Sequence, residues 1–177
     1  MIKKNTGFTL IEVIVYTAIF AVSAIFLVAI LGAVTRIQTR QLSANEVNQQ
    51  IVFVNDTIQR LVQQSSLIDN TAGVPSATLT LRTASSTKDP TTIYWSGEKI
   101  YLKEGAASAV ALTDSNVSIS NFTVTKYENA GGFAALEITV TMSYKTSNPQ
   151  AAVTRTIQTA VNRISAELAL ELDREPP

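Results

Sequence analysis

Residues 8–34 read FTLIEVIVYTAIFAVSAIFLVAILGAV, and in those 27 positions the one formal charge is Glu12. The next charges are Arg36 and Arg40. At ~1.5 Å per residue, a helix of this length covers roughly 40 Å, against a hydrocarbon core of about 30 Å. The segment is long enough to cross a bilayer with room to tilt. A core helix of a soluble protein can also be apolar all round, but such helices are usually shorter and broken sooner.

Toward the amino terminus stands Met1-Ile2-Lys3-Lys4-Asn5-Thr6-Gly7, a polar leader with two lysines. A secretory signal has an apolar stretch of about 7 to 15 residues followed by a small-x-small cleavage site, and this stretch is roughly twice as long and unbroken. Lys3 and Lys4 favour a cytoplasmic leader, but Arg36 and Arg40 flank the other end, so the positive-inside bias is weak. Glu12 is the feature that apolar length does not explain. An ionised carboxylate costs about 2.5 to 3.5 kcal/mol at the centre of a membrane helix and less toward an end. Glu12 either snorkels at the membrane edge or meets a cation inside the membrane.

Toward the carboxyl terminus nothing stops the helix early: no proline precedes Pro75, and Gly32 is the only glycine between Phe8 and Ala72. Ala44, Val47, Ile51, Val54, Ile58 and Leu61 recur at spacings of three and four among polar residues. The pattern predicts one helix from Phe8 to about Ser66, roughly 88 Å long, apolar all round in its first half and one-faced in its second. The stripe also suits a coiled-coil seam, but it is short and has few charged flanking pairs. It is expected to pack on a sheet of the same chain, because strand-like sequence follows, with Asp69 to Pro75 supplying the turn residues that end the helix.

Beyond Pro75, β-branched and aromatic runs predict strands at Ala77 to Thr83, Thr91 to Trp95, Lys99 to Lys103, Val117 to Tyr127, Ala134 to Tyr144 and Val153 to Arg163. The last of these has apolar spacing that also suits a helix, and its threonines favour the strand. Ser96-Gly97-Glu98 is a tight hairpin signal, and Glu128 to Gly132 a looser reversal. Asn121 marks a bulge or break in a run long for one strand, and Ser165 to Glu171 reads as a terminal helical turn before Pro176-Pro177. The fold class expected is α+β: a long N-terminal helix packed on a small antiparallel sheet domain. The divisions are 1–7 leader, 8–34 transmembrane half-helix, 35–68 amphipathic half-helix and 69–177 β-rich domain.

Composition narrows the function. The chain has 177 residues, 14 basic and 14 acidic, with neither Cys nor His. That removes disulfides, thiol nucleophiles, imidazole bases and thiolate or imidazole zinc sites. Carboxylate chemistry survives, but no Walker loop, EF-hand run or paired-acid spacing accompanies it. No enzyme activity, metal or cofactor is expected. Asn55, Asn116 and Asn121 fit the N-x-Ser/Thr pattern as chance would place them in this chain. Trp95, Tyr94 and Tyr101 read as core or cross-strand aromatics. Lys99, Lys103 and Arg82 are too few and scattered in sequence to argue nucleic-acid capture, and no direct nucleic-acid partner is expected.

Gly7-Phe8-Thr9-Leu10-Ile11-Glu12-Val13, behind a short Lys-containing leader and ahead of an unbroken apolar helix, resembles the processing site of type IV prepilins and type II secretion pseudopilins. The resemblance implies that prepilin peptidase cuts between Gly7 and Phe8, removing Lys3 and Lys4, and methylates the new amino terminus of Phe8. It further implies that Glu12 pairs with the amino terminus of a neighbouring subunit during filament assembly, which supplies the missing cation. The implied protein is a bacterial structural subunit, single-pass in the inner membrane with its C-terminal domain extracytoplasmic, later assembled with other pilin subunits through their N-terminal helices. The layout of Thr91 to Trp95, Lys99 to Lys103 and Leu112 to Val117 is similar to the J-type minor pseudopilins, a softer likeness that rests on pattern alone. Absence of a proline in the apolar helix, where Ala29 stands, and of paired C-terminal cysteines agrees with a minor rank without requiring it. The competing reading is a non-polymerising single-pass membrane protein with an extracytoplasmic β-rich binding module.

Overall fold

A computed structural model describes residues 9–128 and 134–163. Helix α1 (Leu10–Gln64) has 55 residues, which at ~1.5 Å each gives a rod of about 82 Å. No residue of α1 before Ser43 is buried, so the N-terminal half stands free of the domain. Its most apolar window has mean hydropathy 2.7 and none of it is buried, making it long and apolar enough to cross a membrane. Hydroxyls within this apolar half are satisfied inside the helix: Thr17 donates to the Val13 carbonyl and Ser23 to the Ile19 carbonyl, each at 2.9 Å. Such back-bonding removes the cost of an unpaired polar group in lipid.

From Ser43 onward one face is covered. Val47, Ile51, Val54 and Ile58 are buried as the spacing predicts, and Val62 takes the next position while Leu61 is only partly buried against the core. The helix stops where Ser65 turns extended, at φ −78° and ψ 146°, with its Oγ donating to the Val62 carbonyl at 2.7 Å. The end therefore comes before the Asp69–Pro75 turn, and residues 67–68, expected to continue the helical half, form a strand instead.

Among the described residues eight strands follow: β1 (Leu67–Ile68), β2 (Thr78–Arg82), β3 (Thr91–Ser96), β4 (Lys99–Glu104), β5 (Val110–Ala111), β6 (Val117–Glu128), β7 (Ala134–Tyr144) and β8 (Thr154–Asn162). They form the expected antiparallel domain as two sheets, β1-β2-β3-β4-β5 and β6-β7-β8. The β3–β4 register pairs Ser96 with Lys99, leaving Gly97-Glu98 as the loop. Gly97 has φ +61°, at the position where a type II′ hairpin takes glycine. In β6 the pairing shifts between Ile119 and Asn121, so Ser120 is an unpaired bulge and the strand continues. The expected reversal at residues 129–132 and the terminal turn from 165 lie outside the described residues.

The amphipathic half of α1 packs over β6-β7-β8. Val54, Ile58 and Val62 join Phe122, Val124, Leu136, Ile138 and Met142 from that sheet, and Leu79, Leu81, Ile93 and Ile100 from the other, in one apolar cluster. The two sheets are tied by backbone bonds from Ser76 N to Val124 O (2.9 Å) and from Ile119 N to Glu98 O (2.9 Å). Lys126 adds a buried side-chain tie: its Nζ donates to the Ile68 carbonyl at 2.8 Å and pairs with Glu128 Oε1 at 2.5 Å. The arrangement is α+β, a long helix projecting from two small sheets that hold only its second half.

Candidate functional site

The first turn of α1 is fixed by its own sequence. Thr9 is extended, at φ −79° and ψ 150°, and caps the helix: its Oγ1 accepts from the Glu12 backbone N–H at 3.4 Å. The Thr9 carbonyl accepts from the Glu12 N–H at 3.1 Å and the Val13 N–H at 3.2 Å. Thr9-Leu10-Ile11-Glu12 has the spacing of a capping box, in which an acid three residues after the cap suits both the free N–H groups and the positive end of the helix dipole. Thr9 makes its half of that box, while the Glu12 carboxylate makes no bond to the Thr9 N–H; the sequence reading overlooked this cap, although the Thr-x-x-Glu spacing carried it.

Glu12 is half-buried, and its flanks Leu10, Ile11 and Val13 are 81%, 72% and 50% exposed. With Thr9, Ile11, Val15 and Tyr16 it lines a shallow depression on the side of the helix. Immediately beyond, Val13, Tyr16, Thr17 and Phe20 line an almost wholly apolar one. A carboxylate on an otherwise apolar, uncovered rod can serve the start of its own helix and can receive a cation brought by whatever covers the rod. Among the sequence-predicted site residues, Glu12 alone falls within the described residues; Gly7, Phe8, Lys3 and Lys4 lie outside them.

Several charged groups of the β domain make local ties. Arg82 bonds Asp69 at 3.0 Å and Asp89 at 3.3 Å, and Lys88 bonds Glu104 at 3.2 Å. The hydrogen bond from Arg82 to Asp69, with the charges of both aspartates, holds the guanidinium above its ordinary pKa. Tyr127 donates to Glu137 Oε2 at 2.9 Å, and that bond raises the phenol above its usual range. Neither group lies near the capped first turn of α1.

No curated protein and no solved structure matched the chain. Residues 2–34 match the prokaryotic N-terminal methylation motif, which spans the leader, the capped first turn with Glu12 and the apolar rod. That motif belongs to proteins processed by prepilin peptidase and assembled with other pilins, and with it on the uncovered half of α1 the chain carries the N-terminal signature of the type IV prepilin and pseudopilin family.

Proposed function

We propose that the chain is a non-catalytic structural subunit of a type IV pilus or a type II secretion pseudopilus, of minor rank and closest in layout to the J-type pseudopilins. Prepilin peptidase cuts after Gly7, Phe8 is methylated, and residues 8–34 hold the subunit in the inner membrane with the β domain extracytoplasmic until it is extracted into a filament. Glu12 then receives the protonated amino terminus of Phe8 from a neighbouring subunit. A buried pair of this kind carries a desolvation cost, so its contribution is greater to register than to raw cohesion. Cohesion comes from packing of the apolar half-helices. The observation that carries the reading is Glu12, a carboxylate on a bare apolar rod within the matched motif.

The capping box favours a second reading of that acid, in which it only starts the helix and the protein is a single-pass anchor for its β domain. Glu12→Gln separates the two, because Gln serves the capping box as Glu does but carries no charge. Expressed in the native host, Glu12→Gln and Glu12→Ala are both expected to insert in the membrane and to be depleted from sheared filaments. Wild-type incorporation of Glu12→Gln would overturn the ion-pair role and leave the cap as its only function.

A further inference from the structure

Sheet β1-β5 turns one face to the core through Leu79, Leu81, Ile93 and Ile100, and the alternate residues form its outer face. The registers place Thr78, Tyr94, Tyr101 and Ala111 in one row across four strands. Tyr94 and Tyr101 stack with ring centroids 5.6 Å apart and planes inclined by 19°. Each ring thus covers one face of the other; both are half-buried, and their outer faces border the short side chains of Thr78 and Ala111. On β4, Lys99 and Lys103 lie two residues to either side of Tyr101 on the same face, roughly 7 Å away in each direction along the strand. Their cross-strand neighbours are Ser96 and Thr92, and Thr80 follows Thr92 on β2.

These two lysines differ from others in the domain. Lys88, Lys126 and Lys145 each pair with a carboxylate, and Arg82 is held between two, whereas neither Lys99 nor Lys103 makes an ion pair among the described residues. No carboxylate occurs at the outward positions of β3 and β4. What was scattered along the sequence is therefore gathered by the sheet into two unpaired cations bracketing a stacked aromatic pair, on a face that otherwise carries short side chains and, at the end of β2, Arg82 held by Asp69 and Asp89.

We propose that this face is a binding platform for single-stranded nucleic acid, with Lys99 and Lys103 contacting phosphates and the outer faces of Tyr94 and Tyr101 stacking bases. Both halves of that chemistry are needed to name the ligand. A neutral saccharide would find aromatic surface but would leave two lysines unmatched. A duplex would satisfy the lysines but keeps its bases stacked on one another, out of reach of the rings. Unpaired strands offer regularly spaced phosphates and free base faces together, the combination that aromatic and basic sheet faces bind with little sequence preference. The chain has no net charge, so binding to a single copy is weak, near ~10⁻⁴ M. Copies arrayed along a filament would raise it by avidity. The proposal is independent of filament assembly and is tested without it.

The test is fluorescence anisotropy of the full chain in detergent with a labelled ~12-nucleotide oligothymidylate. With two phosphates neutralised, the salt slope is expected near −1.4, so raising salt from ~50 to ~200 mM weakens binding about sevenfold. Lys99→Gln with Lys103→Gln, the first half-buried, the second exposed and neither with an ion pair to lose, is expected to abolish that salt dependence. Tyr101→Leu is expected to weaken binding at least about fivefold, and the matching duplex to bind less well than the single strand. Absence of oligothymidylate binding to the wild-type chain at low salt would overturn the proposal, as would binding unchanged in the lysine variant. Heparin or duplex binding as tightly as the single strand, with no effect of Tyr101→Leu, would reduce the face to a general anion patch and overturn it equally.

Discussion

Lys126 is a buried charge that ties the two sheets together at β1 and β6. Its side chain is 8% exposed, with Nζ 2.8 Å from the Ile68 carbonyl and 2.5 Å from Glu128 Oε1. Its backbone carbonyl separately accepts from Gly73 N–H at 2.8 Å, a bond that survives side-chain replacement. Lys126→Met keeps the length and apolar stem and removes only the ammonium. The bond from a charged donor to Ile68 is worth about 1.5 to 3 kcal/mol. Glu128, 47% exposed, returns to water at little cost. Relief of lysine desolvation gives part of the loss back. The net expectation is a destabilisation of about 1 to 2 kcal/mol, or a Tm lowered by about 2 to 8 °C for a chain of this size. Thermal unfolding of the full chain in detergent, followed by the fluorescence of its single tryptophan, Trp95, measures it. Amide exchange at Asp69, whose N–H bonds the Thr80 carbonyl, should quicken in the variant as the β1 segment loosens. A Met variant as stable as wild type would refute the reasoning, since it would mean that burying the charge costs as much as its bonds return.

Two further outcomes follow from local geometry. Glu137→Gln should lower the Tyr127 pKa toward its ordinary value, read by ultraviolet titration of tyrosinate formation. The sign follows from the folded phenol holding its proton more tightly than the unfolded one: the bond stabilises below the unfolded tyrosine pKa and its contribution is lost as pH rises through the raised folded value. An unchanged titration would remove Glu137 as the cause. Gly105→Ala should cost more stability than Gly97→Ala in chemical denaturation. Both glycines have positive φ, +52° and +61°, a conformation that costs other residues about 1 to 2 kcal/mol. A methyl group at 105 would also collide with the Thr87 carbonyl, while at 97 it meets open space. Equal costs would refute the collision.

Much of this fold was legible because the residues concerned announce themselves locally. Apolar length and the absence of breakers gave α1, and β-branched runs located β2, β3, β4, β6, β7 and β8 to within a residue or two. The Asn121 irregularity emerged as the bulge at Ser120. What stayed hidden depends on distant partners. Strands β1 and β5 are two residues each, too short to show alternation, and exist because β2 and β4 offer edges to pair with. Division into two sheets is a choice among non-local pairings that no short-range pattern records. Val62 displaces Leu61 as the last buried helical residue because the sheet surface decides which of two adjacent apolar residues it covers. Lys126 reads in sequence as one more polar residue of a strand, and only its position under Ile68 reveals a buried tie. At the site, Glu12 was legible through its isolation in an apolar run, and its capping partner Thr9 was not singled out because threonine is unremarkable in so Thr-rich a chain.

The central claim, processing as a prepilin, is tested most directly by the mass of the N-terminal peptide of the protein isolated from native membranes in cells with an active prepilin peptidase. The account predicts a peptide that begins at a methylated Phe8, with Lys3 and Lys4 gone. A peptide beginning at Met1, with the leader intact and Phe8 internal, would contradict it.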